Sequence, residues 1–143
     1  MKILFSNLLL LLFLLTVNYC CAQKMVQTVA DLKKLKSNEH QFIGKPLRVL
    51  LKQIEPKIIM FDGNLPNPSN EVNTYMRFRF VDKKGYDSIT SLGKYPPSFR
   101  IIFSPNDKKQ LLKKHLTKER VWTRRDAKEY GDLIIGLILI REN

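Results

Sequence analysis

Cysteine and histidine are scarce in this sequence, and their scarcity removes several kinds of chemistry. The two cysteines, Cys20 and Cys21, are adjacent and follow a leucine-rich run, while the two histidines, His40 and His115, lie far apart. Histidine-based triads and metal clusters need partners that these spacings do not supply. A two-ligand surface site at His115 and Glu119 is conceivable on a helix, but a solvated or packing role is the simpler interpretation. We therefore expect no metal site and no cofactor.

The chain also lacks a hydrophobic run long enough to span a membrane, which takes about 20 apolar residues. Near the N-terminus, Lys2 is followed by an apolar stretch over residues 3–17 that only Ser6 and Asn7 interrupt. This pattern is typical of a secretory signal peptide. Cys20 and Ala22 place small side chains at the third and first positions before a cut, which predicts cleavage after Ala22.

Removal of a signal peptide over residues 1–22 leaves a single domain, residues 23–143, that contains no cysteine. A disulfide framework, a thiolate zinc site and a cysteine nucleophile are then excluded. We expect this domain to be exported, to the periplasm or beyond, and to fold by apolar burial alone. Lipid anchoring is the alternative, but it requires small residues directly before the acceptor cysteine, and Tyr19 precedes Cys20.

Recognisable catalytic motifs are absent as well. The sequence has no G-x-S-x-G, S-x-x-K, Walker or dinucleotide-binding glycine pattern, so no catalytic residue is assigned and an enzyme is not the favoured interpretation. The segment RRDAKEYGD, residues 124–132, holds three acidic residues among three basic ones, which favours ion pairing at a surface. An envelope hydrolase that uses carboxylates such as Asp126 and Asp132 stays open as an alternative.

Basic residues outnumber acidic residues in this sequence. The chain has 25 Lys and Arg against 13 Asp and Glu, a formal net charge of +12, and removal of Lys2 with the signal peptide lowers it by one. Such an excess favours contact with an anionic polymer or an acidic protein. The plainer interpretation is that surface lysines keep a small domain soluble.

Two helices are predicted at the N-terminal end of the domain. Thr28 and Asp31 form a capping box pattern before apolar residues at helical spacing, which predicts a helix over residues 29–40. Pro46 suits a first helical position, and the apolar residues that follow it predict a second helix that ends before Pro56.

The pattern then changes to that of strands. Residues 57–61 predict a strand followed by a turn at DGN, and residues 65–73 predict an exposed loop. Residues 74–81 and 98–103 alternate between the core and solvent, whereas residues 82–97 are polar and rich in turn signals. Ser104 caps a predicted helix. The apolar run over residues 133–140 predicts a fully buried strand, in which Gly136 marks either a bulge or the close approach of a packed helix.

Together these elements predict an α+β fold. An N-terminal helical hairpin packs on an antiparallel sheet of four to five strands, and one further helix precedes the last strand. We expect the helices to cover one face of this sheet.

The candidate binding residues combine arginine with aromatic side chains. Strand alternation places Tyr75, Arg77 and Arg79 on one sheet face, and Arg100 on the corresponding face of a neighbouring strand. A second cluster consists of Trp122 with Arg120, Arg124 and Arg125. Guanidinium groups beside aromatic rings bind phosphate or sulfate and stack on bases or sugars.

These residues predict an exported, noncatalytic binding protein that engages an anionic partner through a basic and aromatic sheet face. Two alternatives remain beside the hydrolase. The arginines can simply solvate the outer face of the sheet. The chain can also be a structural envelope protein that assembles through its helical hairpin, in which case the basic face is incidental.

Overall fold

Five antiparallel strands form one sheet in the computed structural model, which describes residues 23–64, 75–104 and 120–142. The strands are β1 (Met60–Asn64), β2 (Tyr75–Arg79), β3 (Ser98–Phe103), β4 (Arg120–Val121) and β5 (Ile135–Arg141). Their order across the sheet is β4-β1-β2-β3-β5. The α-helices within the same ranges are α1 (Lys33–Ser37), α2 (Leu47–Leu51), α3 (Lys83–Ser91) and α4 (Arg124–Tyr130). The predicted α+β class is confirmed.

The N-terminal helices begin where the sequence predicts. Short 3-10 helices, Val29–Leu32 and Glu39–Gln41, flank α1, and the Asp31 carboxylate accepts a hydrogen bond of 2.9 Å from the backbone N–H of Thr28. Leu32 and Leu35 are buried, as the helical spacing predicts. Pro46 stands just before α2 rather than inside it. The first helical segment is broken after Ser37, so it is shorter than the predicted single helix.

One face of the sheet forms the core. Met76 and Phe78 of β2 and Phe99 and Ile101 of β3 are fully buried, which confirms the predicted inward positions of these strands. The rings of Phe78 and Phe99 stack with their centroids 4.7 Å apart. Burial of each large apolar side chain contributes about 1.5–3 kcal/mol, so this layer is a main source of stability.

Strand β5 differs from its prediction. It lies at an edge of the sheet. Ile135 and Ile138 are buried, whereas Gly136 and Leu139 are exposed. The prediction that this strand is buried on both faces is therefore wrong. The predicted bulge at Gly136 is confirmed by a register shift, since Ile135 pairs with Phe103 while Leu137 pairs with the residue before it. The free edge of β5 is hydrogen-bonded at its start, because the Ile135 N–H donates to the carbonyl of Lys45 at 3.0 Å.

Helix α3 occupies a segment for which turns were predicted. Its N-cap is Asp82, whose carboxylate accepts a hydrogen bond of 2.7 Å from the backbone N–H of Gly85. The helix contains no fully buried residue, and its apolar side consists only of the half-buried Tyr86 and Ile89, which is a weak signal for a helix in a sequence rich in turn residues. The DGN segment also departs from its prediction, because residues 62–64 continue β1 instead of forming a turn.

Several predictions fall outside the described residues. These are the signal peptide, the loop over residues 65–73, the helix that begins after Ser104, and the His115 and Glu119 pair. Within the described ranges, none of the helices has the length and apolar content needed to cross a bilayer.

Candidate functional site

The sheet register places two predicted arginines opposite each other on the face that points away from the core. Arg77 of β2 pairs with Arg100 of β3, and the row continues to Asp62 of β1 on one side and Leu139 of β5 on the other. We call this surface the open face. The expectation that Arg100 would neighbour Arg77 is confirmed.

Asp62 of β1 contacts both arginines of β2. It accepts a hydrogen bond of 3.1 Å from Arg77 Nε, and its other oxygen lies 3.0 Å from Arg77 Nη2, so the guanidinium is held side-on. Arg79 Nη2 also lies 2.5 Å from Asp62 Oδ2, and the Arg79 side chain is only 5 % exposed. Such bidentate contacts fix the orientation of a guanidinium as well as its charge. The sequence did not reveal Asp62 as a site residue because DGN was interpreted as a turn.

Tyrosine rings hold the other arginines of the open face. The guanidinium carbon of Arg100 lies 4.5 Å from the ring centroid of Tyr75, and that of Arg141 lies 4.7 Å from the ring centroid of Tyr95. These cation–π contacts leave the N–H groups at the edge of each guanidinium available to a ligand.

Arg79 has a similar contact, with the ring of Tyr86 in α3 at 4.6 Å. Helix α3 therefore reaches the open face, so the expectation that helices cover one face alone is wrong. Because Arg79 is buried beneath this contact, it supports the open face rather than presenting its own charge to solvent.

A pocket of about 170 Å³ opens between these side chains. It is lined by Arg77, Ser98, Arg100, Leu139, Ile140 and Arg141, and we call it the arginine pocket. Arg141 was not among the predicted site residues, but it pairs with Ser98 in the sheet register, one row from Arg100. Strand alternation from Leu139 would have found it, had the pairing of β5 with β3 been known.

The second predicted cluster lies elsewhere. Trp122 packs edge-on against Phe61 and Phe78 on the core side, with ring centroids 4.9 and 5.1 Å away, and Arg124 is the exposed first residue of α4. Both residues line a separate groove of about 320 Å³. The predicted site residues therefore form two groups, and only those on β2 and β3 share the open face.

The carboxylates considered for hydrolysis have structural contacts. Asp126 completes a capping box at the start of α4, where its side chain accepts a hydrogen bond of 2.8 Å from the backbone N–H of Thr123. Asp132 forms an ion pair with Arg48. The Asp126 contact is part of a helix cap, whereas both side chains of the Asp132 pair are exposed.

Two side chains with shifted pKa values also lie away from the arginine pocket. The pKa of Asp31 is held well below its usual range, first by the hydrogen-bonded ammonium of Lys34 and then by the backbone N–H of Thr28. Burial raises the pKa of Tyr130, while a hydrogen bond of 3.1 Å from Arg120 opposes that rise. Both side chains lie in helical segments, Asp31 in the 3-10 helix Val29–Leu32 and Tyr130 at the end of α4.

No group of three or more histidine, cysteine or acidic side chains converges on a possible metal position within residues 23–64, 75–104 and 120–142. Comparison with family models, curated proteins and solved structures finds no match to this chain. No relative therefore supplies a ligand or a reaction by similarity. The residues of the open face carry the functional proposal by themselves.

Proposed function

We propose that this chain is an exported, noncatalytic binding protein that holds an anionic partner at the arginine pocket. One observation supports this proposal above all. Arg77, Arg100 and Arg141 line a single pocket, and among the described residues only the first of them is ion-paired with a carboxylate.

The chemistry of these groups suits an oxyanion. A guanidinium stays charged at any physiological pH and offers parallel N–H donors that match two oxygens of a phosphate, sulfate or carboxylate. Hydrogen bonds to charged groups contribute about 1.5–3 kcal/mol each, so three arginines around one pocket can give useful affinity. The net charge of +12, which becomes +11 when Lys2 is removed with the signal peptide, adds a long-range attraction for the same partners.

The two alternatives have less support. For an envelope hydrolase, Asp126 and Asp132 would have to act despite their contacts with Thr123 and Arg48. A structural envelope protein that assembles through its N-terminal helices would not require the arginine pocket at all.

Binding to dextran sulfate tests the proposal, with neutral dextran as the reference polymer. We expect affinity for dextran sulfate that falls steeply with added salt, because surface charges are screened over about 8 Å at physiological ionic strength. The double variant Arg77→Ala/Arg100→Ala should lose at least about tenfold in affinity, as two charge-assisted contacts are removed.

The matched control is Arg124→Ala/Arg125→Ala, which removes the same charge from α4. Arg124 and Arg125 are exposed and lie off the open face. This control should retain affinity within a small factor. Binding that ignores salt, or equal losses in the two double variants, would contradict a role for the arginine pocket, and no binding at all would refute the anionic partner.

A further inference from the structure

We propose that the arginine pocket recognises a phosphomonoester, the terminal phosphate of a larger ligand. This inference rests on the proposed function and specifies the chemical class of the partner. It also adds Arg141 and Tyr95, which no sequence pattern had singled out, to the binding site.

The balance of charge around the pocket points to a dianion. Asp62 contacts both Arg77 and Arg79, so its single negative charge is already shared between two arginines. Arg100 and Arg141 have no ion pair with a carboxylate among the described residues, and each contacts a neutral tyrosine ring instead. A phosphomonoester carries a charge of about −1.5 to −2 at pH 7, and it has three terminal oxygens that accept hydrogen bonds. A carboxylate or a sulfate ester brings a single charge.

The arginines are held in place before any ligand binds. Asp62 fixes Arg77 through a side-on contact, while Tyr75 and Tyr95 support Arg100 and Arg141 at 4.5 and 4.7 Å. Ordering a free, flexible side chain costs about 0.5–1.5 kcal/mol on binding, and contacts already made in the unliganded protein reduce this cost. Such pre-orientation favours a ligand with a defined oxygen geometry over diffuse attraction to a polymer.

The size of the pocket limits what it can enclose. Pockets for drug-sized ligands have volumes of about 300–1,000 Å³, whereas the arginine pocket has about 170 Å³. It therefore accommodates one anionic group and leaves the rest of the ligand outside. Leu139, which pairs with Arg100 on the open face, forms an apolar part of the wall and suits the carbon atoms next to the ester oxygen.

Calorimetric titration with phenyl phosphate and phenyl sulfate tests this inference, because the two esters share a ring and differ in charge. At pH 7.5 we expect phenyl phosphate to bind at least about tenfold more tightly. Lowering the pH to 5 should weaken phenyl phosphate binding, because the second ionisation of a phosphomonoester has a pKa near 6. Phenyl sulfate binding should not follow that change.

Variants show whether the assigned residues are responsible. Arg100→Ala/Arg141→Ala should abolish the preference for phenyl phosphate, and this variant leaves the contacts of Asp62 with β2 in place. Arg124→Ala/Arg125→Ala should retain the preference. The thermal unfolding of each variant is compared with that of the parent chain to show that the fold persists.

Two further arms separate the sources of the phosphate. Phosphatidylcholine vesicles with and without phosphatidic acid present a lipid phosphomonoester, and glucose 6-phosphate presents a soluble one. Binding of either probe that depends on Arg100 and Arg141 supports the site and names its source.

Equal affinity for the two phenyl esters, or a preference that survives Arg100→Ala/Arg141→Ala, would overturn this inference. If dextran sulfate still binds through the pocket in that case, the proposed function stands and only the phosphomonoester assignment fails. If dextran sulfate does not bind either, both fail.

Discussion

Asp62 lies between two arginines of β2, and its surroundings determine what its removal does. Arg79 is nearly inaccessible to solvent, with 5 % of its side chain exposed, and the Asp62 carboxylate is a short contact of its guanidinium. Removing Asp62 takes away one charge-assisted contact of this buried guanidinium, and loss of a partner from a buried pair is destabilising. At the scale of residues, the arginines of the open face are therefore held by contacts with neighbouring side chains and do not act as independent surface charges.

Asp62→Asn should therefore lower the free energy of unfolding by about 2 to 3 kcal/mol, somewhat less than for a fully buried pair. Urea denaturation measures the change. Asp87→Asn is the matched control, because Asp87 pairs with Lys83 on an exposed part of α3, where such pairs contribute about 0–1 kcal/mol. Similar losses for the two variants would mean that Arg79 does not depend on Asp62.

Asp31 provides a second test at the residue scale. Its pKa is lowered mainly by the Lys34 ammonium, so Lys34→Ala should raise the Asp31 pKa towards its ordinary value. Lys33→Ala should leave it unchanged, since Lys33 is exposed and is not a cause of the shift. NMR titration of the side-chain carboxyl carbon gives both values.

The sign of the accompanying pH effect follows from linkage. A carboxyl group whose folded-state pKa is depressed stabilises the fold above its ordinary pKa, and this contribution is lost as the pH falls through the folded-state value. Acid should therefore destabilise the parent chain more than Lys34→Ala. An unchanged Asp31 pKa in that variant would assign the shift to Thr28 instead.

At the scale of elements, the positions and buried sides of strands with one buried face were predictable from the sequence, whereas the environment of a strand that is apolar on both faces was not. Strands β2 and β3 alternate between core and solvent, and the pattern of Met76, Phe78, Phe99 and Ile101 gave both their positions and their inward sides. Strand β5 has apolar residues on both faces, and its sequence does not tell an edge strand from a central one. Leu139 is exposed at 37 % because that strand pairs with β3 alone.

Helix α3 was not predicted from the sequence. Its sequence, KKGYDSITS, offers only Tyr86 and Ile89 as an apolar side, and Asp82 caps its start by accepting a hydrogen bond from Gly85. Half of the candidate site was predictable, because Tyr75, Arg77 and Arg100 follow from strand alternation. Asp62, Tyr95 and Arg141 come from the strand register and tertiary packing, which alternation within one strand cannot supply.

The bulge in β5 allows a test that compares two glycines. A Cβ atom added at Gly136 would lie 3.2 Å from the carbonyl oxygen of Ile102, so Gly136→Ala should cost about 1–3 kcal/mol, and the larger Asn should cost more. Gly93 has φ of +71° and open space around it, so its cost is conformational. Asn tolerates the left-handed region better than Ala, and Gly93→Asn should therefore cost less than Gly93→Ala.

Thermal unfolding of the four variants gives the two orders of stability. We expect Ala to be less costly than Asn at Gly136, where crowding dominates, and Asn to be less costly than Ala at Gly93, where backbone strain dominates. If Asn were less costly than Ala at Gly136 as well, the close backbone approach at the bulge would be refuted.

At the scale of the whole molecule, the two faces of the sheet differ in composition. One face carries the apolar core beneath the N-terminal helices and α4, and the open face carries Arg77, Arg79 and Arg100, of which Arg79 is itself buried. An excess of positive charge destabilises a compact state through self-repulsion, and salt screens this repulsion. Ion pairs such as Asp62 with Arg79 act in the opposite sense, although burial protects them from screening.

We therefore expect sodium chloride to stabilise the folded chain. Between low ionic strength and about 0.15 M, where the Debye length is about 8 Å, the melting temperature should rise. Lys52→Gln/Lys57→Gln removes two exposed charges and should raise the melting temperature at low ionic strength but much less at high salt. A melting temperature that falls with salt would mean that attractive pairs outweigh the repulsion, and the positive charge would then be balanced within the fold instead of being available to a partner.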